Sequence, residues 1–377
     1  MPEKKKIAIV YDWMDKWGGV ERVLLTFHEM FPEADFFTSY FDNKKAGWAR
    51  NLKIKTSFIQ QIPNFIKQNR IFSVPFYPFA FESFDFREYD IVISVTSSYA
   101  KSIITQPKTK HICYLLTPTR FLWSHERDYF KNKLIKDLVD GYLYSLKEWD
   151  KIASQRPDKI ITISETVKDR CKRYYGISSK VIYPPFDVDY WQEIKSKIQN
   201  YKSQINTKYK ILNTRYFLIV SRLESYKKVD LVIKVFNKLN KNLIVVGEGA
   251  EENYLKKISE KNINFLSKLS DQELGVLYSK AEALIMPQEE DFGYVSLEAQ
   301  FFGCPVIFFR KGGASETIKV DKTGIYFKNQ TDRSLRQAIE TFDKIKYNLV
   351  RNTRTNGEEN VLKYDKQIFI KNFIAAL

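Results

Sequence analysis

The sequence predicts an α/β protein built from two doubly wound, parallel-sheet units. Three observations carry this expectation. Short β-rich apolar runs alternate with segments whose apolar residues recur at helical spacing, which is the pattern of βαβ units. The alternation closes near Val181-Ile182-Tyr183-Pro184-Pro185 and restarts at Phe217. The length, 377 residues, is that of two to three domains, at about 150 residues each.

In chain order, Ile7–Tyr11 (IAIVY) reads as a buried strand. Gly18-Gly19 follow, then VERVLLTFHEMF, in which Val20, Val23, Leu24, Phe27 and Phe31 share one helical face. Further strands are expected at 36–39, 91–94, 111–115 and 160–164. After the Pro-Pro pair comes a polar, Lys-rich stretch over 193–210. The second unit should place strands at 217–221, 243–247, 263–266, 284–286 and 306–309. Its helices should run through 231–239, near 251–258 and through 295–302. We therefore expect domains at 1–185 and 186–360, with a C-terminal helix in 361–377 packing back on the first. Two such sheets would face a central cleft with the carboxyl ends of their strands, where open α/β sheets bind ligands.

Composition narrows the classes. Gly (14) and Pro (12) are too scarce for collagen-like or linker-like chains. Three cysteines, Cys113, Cys171 and Cys304, are too few and scattered for a disulfide framework or a zinc cluster. Lys+Arg outnumber Asp+Glu 61 to 45, a formal charge of +16. Such a surplus favours anionic partners, or else reflects lysine used as generic surface. Lys4-Lys5-Lys6 precede an apolar run that Asp12 ends too soon for a secretory signal. No stretch approaches the roughly 20 apolar residues of a spanning helix. The expectation is a cytoplasmic protein, soluble or peripheral at the cytoplasmic face of the inner membrane. Residues 52–86 bear on the peripheral reading, because Lys53, Lys55, Lys67 and Arg70 interleave with Phe58, Phe65, Phe72, Phe76 and Phe79. That mixture suits a helix lying on an anionic membrane surface. It equally suits an amphipathic helix capping the first sheet, with FSVPFYPF as a packed loop. No zinc-finger, KH-like or RNP-like pattern occurs, so nucleic acid is not expected as a partner.

The strongest constellation is Glu290-Asp291-Phe292-Gly293-Tyr294-Val295-Ser296-Leu297-Glu298, between an expected strand and an expected helix. Two carboxylates eight residues apart, Glu290 and Glu298, bracket a glycine bend and a helix start. The amides of Phe292, Gly293, Tyr294 and Val295 lie at that helix start, where anions bind. Carboxylates hold hydroxyls and amides hold phosphates, so the array has the polarity of a sugar nucleotide. A charged loop followed by a solvent-facing glutamate is the plainer alternative. Arg222, with Lys227 and Lys228, leaves a strand at its carboxyl end and would stabilise a departing diphosphate. Taken singly, these are also ordinary surface cations. Gly18-Gly19 would bring backbone amides to a phosphate or sugar. Gly247-Glu248-Gly249 lacks the third glycine of a dinucleotide fingerprint. Asp187-Val188-Asp189 matches D-x-D, but it sits at the presumed hinge without a phosphate loop, and we read it as linker; no metal is expected. Of three histidines, His28 reads as structural, His111 begins a strand, and His125 in Trp123-Ser124-His125-Glu126 has a position open to the cleft.

Four motifs in order, SRLESYKKVDL, VVGEGAE, EEDFGYVSLEAQFFGCPVI and GGASETI, resemble the donor half of family 4 retaining glycosyltransferases of the GT-B fold. YDWMDKWGGVERVL, FESFDFREYDIVIS and HICYLLTPTRFLW resemble bacterial mannosyltransferases of O-antigen and related surface polysaccharides. The resemblance implies two Rossmann-like domains and transfer of a hexose from a nucleotide sugar, GDP-mannose favoured, to a lipid-linked or growing saccharide acceptor. It implies that Glu298 holds the donor ribose and that Glu290 holds hydroxyls of the transferred sugar, helped by the backbone of Phe292 and Gly293. Tyr294 and Val295 backbone would meet phosphate, and Arg222 and Lys227 would bind the diphosphate. Gly18 and Gly19 would contact the donor from the first domain, and Leu266 and Ser267 would border the base. No cofactor or metal is implied. Similar proteins often carry histidine where Leu116 stands and another near Ser97. In the front-face mechanism of retaining enzymes the leaving phosphate oxygen takes the acceptor proton, so no protein base is needed. A UDP-hexose-dependent transferase, a sugar-nucleotide epimerase and a charge-driven nucleic-acid or membrane binder are the alternatives.

Overall fold

The computed structural model describes residues 5–67, 73–124, 133–208 and 214–377. His125 lies outside the described residues, as do Arg70 and Phe72. The chain divides into two compact units, Met1–Pro185 with Phe369–Leu377, and Phe186–Ile368.

The first unit is a seven-stranded sheet in the order β3-β2-β1-β4-β5-β6-β7. Its strands are β1 (Ile7–Tyr11), β2 (Asp35–Thr38), β3 (Lys53–Thr56), β4 (Ile91–Thr96), β5 (Lys110–Leu115), β6 (Lys159–Thr162) and β7 (Lys180–Val181). Every neighbouring pair runs parallel. β4 is buried along its whole length, IVISVT, because both faces of a parallel sheet are covered. The strand order reverses between β1 and β4, so the loops after these two strands open at the sheet's switch point. The last residues of the chain complete this unit. Phe369 and Phe373 of helix Lys366–Ile374 pack on Phe27 and Tyr114, with ring centroids 4.7–5.9 Å apart.

Residues 52–86 are not one amphipathic helix. They begin as edge strand β3, whose Lys53 and Lys55 pair with Glu33 and Asp35. They continue through short helical turns at Phe58–Gln61, Asn64–Lys67, Val74–Phe76 and Tyr77–Glu82. Ile59, Tyr77, Phe81 and Phe86 enter the core, whereas Phe58, Phe65, Phe76 and Phe79 are exposed. Alternating Lys53-Ile54-Lys55 has the period of a strand, and Pro63, Pro75 and Pro78 keep the rest from forming a long helix.

The second unit is a six-stranded parallel sheet, β10-β9-β8-β11-β12-β13. Its strands are β8 (Phe217–Val220), β9 (Leu243–Val246), β10 (Ile263–Leu266), β11 (Leu284–Met286), β12 (Val306–Phe309) and β13 (Gly324–Phe327). Its core joins the sheet to helix Val229–Leu239 and to the 31-residue helix Asp332–Leu362. The Lys-rich stretch after the Pro-Pro pair is helix Val188–Lys208. Trp191, Ile194 and Ile198 stand at helical spacing and are buried. Ile198 approaches helix Asp271–Lys280 at Gly275, where an added Cβ would lie 2.7 Å from its side chain.

His111, wholly buried in β5, exchanges a 2.8 Å hydrogen bond with Ser94 through Nε2. Burial pushes its pKa down to about 3, against about 6.5 in an unfolded chain. The unfolded state therefore binds a proton that the folded state refuses, and stability present above pH 6.5 falls as the pH drops from there towards 3. We expect the Tm of the first unit to fall over this window, with a shallower fall in His111→Gln, as followed by calorimetry.

Candidate active site

In the second unit the strand order reverses between β8 and β11, and the loops leaving these neighbours carry the charged residues singled out above. After β8 the chain turns through Ser221-Arg222-Leu223 into the 3-10 turn Ser225–Lys227. Gly247-Glu248-Gly249 seats this turn. Gly247 has φ 147°, and a Cβ on either glycine would collide with the backbone of Ser221 or Leu223. The amide of Leu223 donates to Glu248 O at 2.9 Å, and that of Glu251 to Leu223 O at 2.9 Å. The G-x-G motif thus acts here through close packing of two loops.

After β11, Gly293 (φ 94°) forms the N-cap of helix Tyr294–Phe301, which no side chain caps. The first amides of a helix have no intrahelical acceptors, so this end presents donors and a positive dipole. A second glycine pair holds the loop from outside. Gly312 (φ 89°) forms a β-bridge with Glu290, and the Gly313 amide donates to Glu290 O at 2.7 Å. A Cβ on Gly313 would strike the Asp291 carbonyl.

The two loops meet in an ion pair. Lys227 Nζ lies 2.6 Å from Glu290 Oε1, with the side chains only 10% and 16% exposed. Gln288 Nε2 donates to the same oxygen at 2.6 Å. Tyr226 lies alongside, its ring centroid 5.5 Å from Lys227 Nζ and its hydroxyl accepting from Arg222 Nη2 at 2.8 Å. Arg222, Lys227 and Glu290 are therefore one connected constellation, with Arg222 exposed at its rim. Glu298 is buried rather than solvent-facing, and its Oε2 accepts from the Tyr278 hydroxyl at 2.9 Å. Its helix is locked in place by buried polar contacts. Ser296 bonds Thr317 at 2.6 Å, and Asn360 of the long helix bonds Gln300 at 2.9 Å.

Phe292 is buried against Tyr294 and Tyr364, while Gly293, Tyr294 and Val295 are half-buried. Leu266 ends β10 half-buried and Ser267 is exposed. Gly18 and Gly19 start helix Gly19–Met30 of the first unit. Sequence reasoning missed Tyr226 and Gln288, whose partners Arg222 and Glu290 are near in the chain but are reached only through the folded loops, and Tyr278, whose partner Glu298 lies twenty residues on. It also missed Asp12, which is wholly buried after β1. Its Oδ1 accepts from Thr96 Oγ1, Tyr99 N and Ala100 N, and its Oδ2 from Ser97 N, each at 2.8 Å. Ser97 is thus committed to Asp12, and the Leu116 amide bonds Thr96 O at 2.8 Å.

Asp187 of the D-x-D match caps a helix start, accepting from Tyr190 N at 3.0 Å, and pairs with Lys366 at 2.7 Å. Among the described residues no group of three His, Cys, Asp or Glu side chains gathers as a metal site. The three cysteines are free and buried. Burial raises Cys113 and Cys304 to about 12 and Cys171 to about 11, which makes all three poor nucleophiles.

Two families match the chain: Glycosyltransferase Family 4 over residues 17–190 and Glycosyl transferases group 1 over residues 202–360. The O-antigen chain mannosyltransferase RfbU of Salmonella typhimurium is 30% identical over 166 residues, 42% of this chain and 43% of that protein. The human alpha-1,3/1,6-mannosyltransferase ALG2 is 23% identical over 63% of this chain and 61% of its own. The chain spans about half the length of the curated proteins it matches first. Among solved structures, HepE of Anabaena in complex with UDP and glucose superposes with a TM-score of 0.72 over 99% of both chains, at 17% identity. The likeness is one of fold, and the expected GT-B architecture of two Rossmann-like, parallel-sheet domains is that of these neighbours.

The glycine contacts make a paired prediction. Gly313→Ala forces a methyl against the Asp291 carbonyl and should destabilise the second unit by about 1–3 kcal/mol. Gly141→Ala lies in helix Lys133–Ala153 with nothing within 4 Å of the new Cβ and should stabilise by about 0.5–1 kcal/mol. Urea denaturation of the two variants checks the opposite signs.

Proposed function

We propose a reaction for this chain, which belongs to the glycosyltransferases, of family 4 in its first half and of group 1 in its second. It moves a hexose from a nucleotide sugar, GDP-mannose ahead of UDP-hexoses, to a lipid-linked or growing saccharide acceptor. The anomeric configuration is retained and no metal takes part. The observation that carries this reading is the Lys227–Glu290 pair beside an uncapped helix start. The helix amides, Lys227 and Arg222 form a fixed positive surround for a diphosphate, whose charge grows as the sugar departs. Lys227 and Gln288 both donate to Glu290 Oε1 and fix the carboxylate, an acceptor group of the kind that holds sugar hydroxyls. Glu298, oriented by Tyr278, takes the ribose. The bond from the anomeric carbon to the phosphate oxygen breaks, the acceptor oxygen bonds the same face of that carbon, and its proton passes to the leaving phosphate. The mannosyltransferase names of RfbU and ALG2 support the choice of mannose.

A panel of GDP- and UDP-sugars with mannosyl and glucosyl acceptors tests the proposal. Nucleoside diphosphate should be released fastest from GDP-mannose, with little change on adding EDTA. A faster UDP-hexose reverses the donor assignment, and no release from any pair sinks the proposal. Glu290→Ala and Arg222→Ala should each lower kcat by roughly 10²–10³, the size of one lost transition-state contact.

A membrane-bound acceptor would suit the exposed Phe58, Phe65, Phe76 and Phe79 of the first unit, which stand near Lys53, Lys55 and Lys67 in the chain. Apolar rings amid cations bind anionic interfaces. Among the described residues no helix is long and apolar enough to cross a membrane. Sedimentation with phosphatidylglycerol vesicles should pull the protein down in a salt-sensitive manner, and Phe65→Ser with Phe79→Ser should weaken it severalfold.

A further inference from the structure

The loop that leaves β1 ends in an exposed indole. Trp17 is 51% exposed, unusual for so large an apolar side chain, and sits directly before Gly18-Gly19 at the switch point of the seven-stranded sheet. The loop beneath it is tied on every side. The Met14 amide donates to Tyr40 O at 3.0 Å, and the Asp42 amide to Met14 O at 2.8 Å. Tyr40 donates its hydroxyl proton to Asp15 Oδ2 at 2.7 Å. Trp48 donates from Nε1 to Lys16 O at 2.8 Å, and its ring meets Trp17 edge-on with centroids 6.3 Å apart. Asp12, at the base of the loop, is held by the donors of residues 96–100. Trp17 is therefore a supported platform with one neighbouring ring at its edge.

We propose that Trp17 is the stacking platform for a pyranose ring of the saccharide acceptor, which rests on the transferase reading above. A pyranose has one face of C–H bonds and a rim of hydroxyls. Its apolar face covers an indole, and the rim needs polar neighbours, which half-buried Asp15 and Lys16 supply in the adjoining sequence. The rigid loop also lowers the ordering cost of binding, because the ring is already placed. An indole with one neighbouring ring, flanked by charged and polar residues, is too small for a protein interface, whose area runs to hundreds of Å² on each side.

Saturation-transfer NMR with mannotriose and maltotriose tests this. Irradiating the aromatic protons of the wild type should transfer saturation to one face of a sugar ring in at least one of the two. Trp17→Phe should keep the effect. Trp17→Ala should abolish it and raise the KM for the saccharide acceptor roughly tenfold, the effect of a single lost contact. Unchanged transfer in Trp17→Ala overturns the proposal, as does the absence of transfer from the wild type to either sugar. So does a Trp17→Ala protein that loses phosphatidylglycerol binding but not sugar binding, which would give the indole to lipid. The two readings fail separately. Sugar stacking without nucleoside diphosphate release removes the transferase alone, and release with an unaltered acceptor KM in Trp17→Ala removes the platform alone.

Discussion

The ion pair between Lys227 and Glu290 is the constraint around which the second unit's loops are arranged. Both side chains are largely withdrawn from water, where desolvation can cancel the attraction of two charges. Gln288, donating to the same Glu290 oxygen, helps offset that cost. The pair also spans two strands that are neighbours in the sheet but far apart in sequence, so it joins the β8 loop to the β11 loop. Such closeness requires backbone packed on backbone. Gly247 and Gly249 let the β9 loop approach the first, and Gly312 and Gly313 let the β12 loop approach the second. Four glycines and one ion pair are thus a single device.

The first unit solves the same geometric problem by different chemistry. Its strand order also reverses, between β1 and β4, and a carboxylate again joins the two loops. There the carboxylate is Asp12, sealed from solvent and bonded by backbone amides and hydroxyls. Removing the Asp12 carboxylate would leave these buried donors unsatisfied, at a cost of about 1–3 kcal/mol each. The contrast separates a carboxylate wholly sealed inside a scaffold from one, Glu290, whose side chain keeps some contact with solvent.

The positive charge has several homes. Lys53, Lys55, Lys234, Lys238 and Lys256 pair with nearby carboxylates on the surface. Each such pair contributes at most about 1 kcal/mol. Lys101 is different. It is wholly buried and paired at 2.6 Å with Asp150, which also accepts from Trp123 and Tyr175. A lysine count therefore mixes solubility, architecture and chemistry.

The sequence by itself determined the class of fold, because the buried strands of a parallel sheet are continuous apolar runs that periodicity detects: IAIVY, IVIS, LIVV and VIFF were all legible. It also marked Glu290, Gly293, Glu298, Arg222 and Lys227, since charge and glycine beside a strand end or helix start carry local meaning. Periodicity failed where the element was short or its surroundings decided it. β3 and β7 are edge strands with lysines, β13 ends a sheet, and helix Val188–Lys208 read as a polar, Lys-rich stretch because its apolar face is narrow. Only the tertiary structure decided that Lys227 lies on Glu290, that Tyr278 holds Glu298, that Gly313 carries the Glu290 carbonyl, and that Trp17 faces solvent on a rigid loop. These are contacts between segments tens of residues apart. No local pattern encodes them, because packing of whole strands and helices sets the distances.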